Sequence, residues 1–182
     1  MKALLASRNE HKLRELRTAL PGWELELLDG PDFPPEEGAT YYENARAKAL
    51  HGHRLAPDAW VLGEDSGIEV DALGGRPGVH SARWAEDGVA AVLAALEGVA
   101  ERRARYVCEL VAVSPAGVEA RGTGTVEGTV ATEPRGNEGF GYDPIFVPTG
   151  ATQTVAELGN EWKGHNSHRA RAAQALAQGL AG

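Results

Sequence analysis

At 182 residues, with 42% hydrophobic and 24% charged side chains, the chain has the length of one domain (residues 1–182) and enough apolar content for a buried core. Its net charge of −8 argues against general affinity for DNA or RNA, whose backbones demand clustered positive charge. No apolar run approaches the ~20 residues of a membrane-spanning helix, residues 1–7 are too short an apolar stretch for an export signal, and the single cysteine, Cys108, fits a reducing cytoplasm.

Residues 2–6 read as a short buried strand, and residues 9–20 as a helix with Leu13, Leu16 and Leu20 at helical spacing, stopped by Pro21-Gly22. Residues 23–28 alternate like a strand, and residues 30–38 form a Pro- and Gly-rich loop. A helix is predicted over 40–54, opened by Thr40 with Glu43 at capping-box spacing. Two short strands, 59–62 and 68–70, flank an expected tight turn at Gly63-Glu64-Asp65-Ser66-Gly67. A glycine-punctuated loop covers 74–83, and a helix follows near 86–96. Residues 103–113 and 118–130 form a long hairpin turning at Ser114-Pro115-Ala116-Gly117. A second Gly-rich loop spans 136–142, residues 145–147 make a strand, and an Ala-rich helix closes the chain over 167–180. Helices between strands plus one hairpin indicate an α/β or α+β fold with a mixed sheet.

Lysine is scarce, four against fourteen arginines, and three of the four lysines fall in segments that carry chemistry. The first is Ser7-Arg8-Asn9-Glu10-His11-Lys12, a strand-to-helix turn. Free N–H groups and the dipole make a helix N-terminus attractive to anions and mildly unfavourable to cations. Arg8, His11 and Lys12 are therefore badly placed unless an anion joins them; Asn9 as a plain N-cap among solvated cations is the other reading. Around the start of the closing helix, Lys163, His165, His168, Arg169 and Arg171 repeat the arrangement, with Asn166 or Ser167 as cap. Two such clusters suggest a shared polyphosphate, against a surface ion-pair network with Glu157 or Glu161.

Glu36-Glu37 and Glu64-Asp65 supply hard oxygen ligands of the kind Mg²⁺ takes, one or two carboxylates with waters and phosphates completing the octahedron. Glu64 and Asp65 would point to opposite faces of an extended segment. Asp65 is therefore the expected metal ligand and water-activating group, with Glu36 as partner; both also read as ordinary loop acids. Asn44 and Lys48, four residues apart, share a helix face. In Gly139-Phe140-Gly141-Tyr142-Asp143-Pro144, glycines admit close approach, aromatics offer stacking surface and Asp143 offers an acceptor. A hairpin turn with core aromatics accounts for that segment equally. Cys108, inside an apolar run, reads as a buried thiol rather than a nucleophile.

Together these segments resemble the inosine/xanthosine triphosphate pyrophosphatases, the non-standard purine nucleotide pyrophosphatases. Residues 7–12 resemble the family's T/S-G-N-x-x-K, with Arg8 in place of the usual glycine. Residues 36–49 follow E-x-G-x-T/S-F/Y-x-E-N-A-x-x-K-A, and residues 64–83 follow D/E-D-S-G-L-x-V-D-x-L-x-G-x-P-G-x-x-S-A-R nearly throughout. Residues 139–146 match G-F-G-Y-D-P-I-F, and Ser167-His168-Arg169 matches the closing S-H-R. The resemblance implies an elongated mixed β-sheet with flanking helices, two lobes around a central nucleotide-binding cleft, and a homodimer. It implies Mg²⁺-dependent hydrolysis of ITP, dITP and XTP to the monophosphate and pyrophosphate. Ser7, Asn9 and Lys12 would hold phosphate; Glu36 and Asp65 would serve the metal, with Asp65 accepting the proton and Ser66 touching substrate. Phe140, Gly141, Tyr142, Asp143, Lys163, His168 and Arg169 would bind nucleotide. An inosine-type base carries an N1–H donor that adenine lacks, so a carboxylate at Asp143 would disfavour adenine. A related pyrophosphatase for other modified bases, such as methylated pyrimidines, and a non-catalytic nucleotide sensor are the alternatives.

Overall fold

The computed structural model describes residues 1–30 and 33–181; of the predicted loop 30–38, residues 31 and 32 lie outside them. In chain order it contains β1 (Lys2–Leu5), α1 (Glu10–Ala19), β2 (Glu24–Leu27), α2 (Tyr41–Leu55), β3 (Trp60–Val70), α3 (Gly88–Ala95), β4 (Arg103–Val113), β5 (Glu119–Val130), β6 (Phe146–Pro148), α4 (Val155–Asn166) and α5 (His168–Ala181). One mixed sheet runs in the order β2-β1-β3-β4-β5-β6. β1 is parallel to β2 and β3, and the remaining pairs are antiparallel. This is the expected mixed sheet with flanking helices.

The sequence alternation does not by itself say which helix covers which face; the core does. Leu13 and Leu16 of α1 and Ala172 and Leu176 of α5 pack with Cys108, Leu110 and Ala112 of β4. Ala45 and Ala49 of α2 pack with Val111 and Val113, the intervening β4 residues, so α2 lies on the opposite face. A further cluster beyond the cleft joins Ile68, Val70, Tyr106, Phe146 and Val155. Those two ends of the long strands are the two lobes.

The predicted tight turn at 63–67 does not exist. Residues 60–70 are one continuous strand, because β4 pairs with β3 from Val61 to Val70 without a break. Gly63 is there for packing. A methyl group at that position would overlap the Ala45 carbonyl oxygen and the Ala49 amide of α2, so only glycine lets the helix lie this close. The predicted loop 74–83 contains a 3₁₀ segment, Gly78–Arg83, and the helix expected near 86–96 is shortened to α3, capped by Asp87.

α4 is an element that the sequence pattern concealed. Gly159 sits inside it at φ 85°, kinking the helix and breaking the periodicity. The legible signal was its start, where Thr154 and Glu157 form a capping box. Lys163 belongs to α4 rather than to the start of the closing helix, and Ser167 caps α5 by accepting from the Ala170 N–H at 3.1 Å.

The capping box of α2 is formed as expected. Thr40 Oγ1 accepts from Glu43 N at 3.2 Å, and Glu43 Oε2 accepts from Thr40 N at 3.2 Å. Thr40→Ala is expected to lower stability by about 1 kcal/mol, read as a shifted urea midpoint at unchanged slope. An unchanged midpoint would show that α2 is held by packing alone.

Candidate active site

β1 is short, and its partner β3 is long. β1 reaches only Leu62 of β3, and beyond it the edge of β3 facing β1 has no strand partner around Asp65, until Ser81 takes the Ile68 N–H and Pro77 bridges Glu69. At the same place the chain leaves β1 into α1 on one face, while α2 arrives from the other. In open α/β sheets a crevice forms at such a switch point, outside the carboxyl ends of the strands. Two adjoining cavities fill it, sharing Asn9, Lys12 and Glu36.

One cavity, of about 200 Å³, is also lined by Asp65, Ser66, Phe140, Gly141, Tyr142, Asp143, Lys163, His168 and Arg169. The other, more open, adds Ser7, Arg8 and Lys48. The phosphate, metal and nucleotide candidates therefore border one continuous cleft, whereas His165 and Arg171 of the second cationic cluster line neither cavity, the Arg171 guanidinium donating instead to Thr125 O at 2.7 Å. Lys12, Asp65 and Arg169, from both ends of the chain, meet in it.

At the α1 terminus Asn9 is indeed the N-cap, its Oδ1 accepting from His11 N at 2.9 Å and Lys12 N at 3.3 Å, while Ser7 Oγ accepts from Asn9 N at 3.1 Å. The cap and the cleft lining are thus one feature. The misplaced first-turn cations have a partial answer within the protein. Lys12 Nζ pairs with Glu64 Oε2 at 2.5 Å, and Arg169 pairs with Glu15 at 2.6 Å and Glu64 at 2.9 Å. Lys163 joins Glu15 at 2.6 Å to Asp143 at 2.5 Å. The result is an alternating buried chain: Lys12, Glu64, Arg169, Glu15, Lys163, Asp143. Neither Glu157 nor Glu161 takes part.

Electrostatics follow from that alternation. Burial would raise the Glu64 carboxyl, but Arg169 and Lys12 beside it hold it well below the ordinary range. Burial would lower the Lys12 ammonium, yet Glu64 keeps it above its usual value. Arg169 lies 1% exposed and spends four hydrogen bonds on Glu15, Glu64 and Ser66, so it braces the cleft wall. Asp143 is likewise committed. Its Oδ1 accepts from Tyr106 OH at 3.1 Å, and its Oδ2 from Lys163 at 2.5 Å and Phe140 N at 2.9 Å. The acceptor expected to face a base is turned into the wall, and Lys163 is the polar head that it holds in place.

On the other side of β3 the predicted alternation holds: Asp65 points away from Glu64, toward α2. Its Oδ2 accepts from Asn44 Nδ2 at 2.8 Å, and Lys48 Nζ lies 3.9 Å from Oδ1. Lys48 Nζ also contacts Glu36 Oε1 at 2.5 Å, and Arg83 holds Glu36 Oε2 at 3.0 Å. Burial, with Glu36 and Glu64 nearby, lifts Asp65 to about 6 against the pull of Lys48 and Asn44. Glu36 goes the other way, because Lys48, Lys12 and Arg83 outweigh its burial. Two carboxylates of one cleft thus have separated protonation, the pattern of a base next to a fixed anion. Cys108 is buried, its thiol pushed up by burial and by Glu64, and it is not a nucleophile.

Sequence comparison bears on the whole chain. The profile of the Ham1 family matches residues 3–179. The chain belongs to the Ham1 family. A "dITP/XTP pyrophosphatase" of Symbiobacterium thermophilum is 49% identical, covering 93% of this chain and 89% of the relative. One of the same name from Gloeobacter violaceus is 44% identical over 97% and 92%. Among solved structures, the Staphylococcus aureus Ham1 protein superposes with a TM-score of 0.86 at 35% identity, covering 100% of this chain and 98% of that one.

Within this Ham1 chain, the sequence pattern left Glu15, Arg83 and Tyr106 without a role, and it offered Glu64 as a metal-type acid rather than as the partner of Lys12 and Arg169. Lys12 and Glu15, three residues apart, share one flank of α1, and that spacing was the available signal for Glu15. Arg83 lay in view as the last residue of its motif, but its reach to Glu36 is purely tertiary. Arg8, exposed in place of the family glycine, lines the more open cavity.

Proposed function

We propose that this chain hydrolyses non-standard purine nucleoside triphosphates, ITP, dITP and XTP, to the monophosphate and pyrophosphate. The observation that carries the reading is the single cleft in which an α1 N-terminus and two lysines adjoin a carboxylate poised near neutrality. The positive end of the α1 dipole, with Lys12 and Lys48, suits a polyphosphate. Asp65, raised to about 6 and placed on the open edge of β3, suits a group that orients a water and accepts its proton. Phe140 and the cavity around it suit a base. Two of the three Lys163 N–H groups are taken by Glu15 and Asp143; the third can donate to a 6-oxo purine, which accepts there, whereas a 6-amino purine does not.

The donor set also fits Mg²⁺. Glu36 and Asp65 are hard oxygen ligands on either side of the Lys48 ammonium. No group of three or more His, Cys, Asp or Glu residues among the described residues could cage an ion. Two carboxylates with substrate phosphates and water are what Mg²⁺ takes. Glu36 and Asp65 would hold it, and bound there it would supply charge neutralisation on the phosphates. Lys12 and Lys48 hold the same charge from the protein side, and Arg83 keeps Glu36 facing the cleft.

The buried lone thiol supports work in a reducing compartment such as the cytoplasm, and the family likeness supports a homodimer. No helix among the described residues is long and apolar enough to cross a membrane. The test is a panel of ITP, dITP, XTP, GTP, ATP and a methylated pyrimidine triphosphate, with Mg²⁺ and with chelator, scored for monophosphate and pyrophosphate. Preferred turnover of the first three, lost on chelation, is expected. Equal rates on ATP, or binding of ITP without release of pyrophosphate, would overturn the reading.

A further inference from the structure

Tyr106 lies on β4, opposite Ile68 of β3 and Val126 of β5, and its ring enters the cleft wall from beneath. The His168 ring stacks on it at a centroid distance of 4.5 Å and an interplanar angle of 10°. Phe146 packs against it at 4.4 Å. The ring is thus clamped, and the phenolic O–H is aimed at Asp143 Oδ1, 3.1 Å away. Two parts of the wall that come from distant segments, His168 at the start of α5 and Asp143 before Pro144, are joined through this one side chain.

What Asp143 does depends on that bond. The carboxylate is 3% exposed, and its other oxygen carries both Lys163 Nζ and Phe140 N–H. A buried carboxylate oxygen left without a donor is costly. Among the described residues Tyr106 is the hydrogen-bond donor to Oδ1. Lys163 in turn lies 4.4 Å over the Phe140 ring, so the ammonium and the stacking surface are placed by the same carboxylate.

We propose that Tyr106 is a positioning residue for nucleobase recognition: its stack on His168 and its hydrogen bond to Asp143 hold Lys163 and Phe140 in the arrangement that receives the base. It does not reach the phosphate end of the cleft, where Ser7, Arg8 and Lys48 stand. The assignment rests on the nucleotide reading above, and it concerns a side chain that the motifs did not single out.

The test compares the full-length wild type with Tyr106→Phe, which keeps the stack and removes the donor, and Tyr106→Leu, which removes both. Each is assayed for KM and kcat on ITP and for inhibition by inorganic tripolyphosphate, a probe with no base. For Tyr106→Phe, KM for ITP is expected to rise about tenfold or more, the scale of a lost hydrogen bond to a charged group, with kcat within about twofold and tripolyphosphate inhibition unchanged. Tyr106→Leu should raise KM further. An unchanged KM in an active Tyr106→Phe protein overturns the role, as does an equal weakening of tripolyphosphate, which would mark a general loss of structure. A wild type inert toward every purine triphosphate would instead remove the nucleotide reading and this role with it.

Discussion

Asp65→Asn is expected to lower kcat at least a thousandfold while making the protein more stable at neutral and alkaline pH. The first effect follows from removing the one cleft carboxylate that combines a pKa near neutrality with a place on the open edge of β3; general-base contributions run to about 10²–10⁴, and loss of a charge that a phosphate-bound cation would use adds to it. The second effect has a definite sign. The folded value, about 6, lies above the ordinary carboxyl value of 3.8, so the native state binds more protons than the unfolded chain between those values. Native stability therefore falls as pH rises through that window, and the penalty is fully present above pH 6. An amide cannot ionise, yet its oxygen can still accept from Asn44 Nδ2. The variant should gain about 1–3 kcal/mol at pH 8 and little at pH 4. Denaturation of metal-free protein at both pH values checks this. A variant within tenfold of wild-type turnover would take Asp65 out of the chemistry, and one no more stable at pH 8 would show that its charge is well solvated.

Arg169→Met is expected to destabilise the fold by about 3–5 kcal/mol, the cost of leaving buried charge without its partner. Glu15 and Glu64 are 7% and 1% exposed, and the guanidinium lies between them. Methionine matches much of the volume but leaves Glu64 only Lys12 as a cation beside the weak Cys108 thiol donor, and Glu15 only Lys163. Arg169→Lys should recover part of the loss, since one ammonium cannot reproduce a planar fork that bonds two carboxylates and Ser66 together. Acid unfolding should also move to higher pH. Glu64 and Glu15 are both held below their ordinary values, so they contribute stability above the unfolded carboxyl range and lose it as pH falls through their folded values. Without Arg169 that loss begins sooner. Urea titrations across pH 3 to 8 read both effects, and a variant within 1 kcal/mol of wild type throughout would show the ion chain to be energetically idle.

Local chemistry was legible in the sequence because it acts over a few residues. The Thr40–Glu43 box, the Asn9 cap and the opposite facing of Glu64 and Asp65 follow from helix-end donors and from strand periodicity, neither of which needs a distant partner. The cations at two helix starts are also visible in the sequence, but their partners are not local: they meet Glu15 and Glu64, one on α1 and one on β3, and only the packing of α5 and α1 over β3 brings the four groups together. The turn predicted at 63–67 failed for the same reason. Its glycines look like turn residues, but Gly63 serves the close approach of α2, a requirement set by an element lying across the strand. Likewise Asp143 reads as an open acceptor until Tyr106 and Lys163 are seen to take both its oxygens. The sequence by itself determined the family, the caps of α1 and α2 and most of the residues that line the cleft, since these rest on short motifs and short-range spacing. Tertiary structure alone decided which charges are spent on one another and which remain for a ligand, because ion pairing depends on distance and burial, and the pairs here span up to 154 residues of chain.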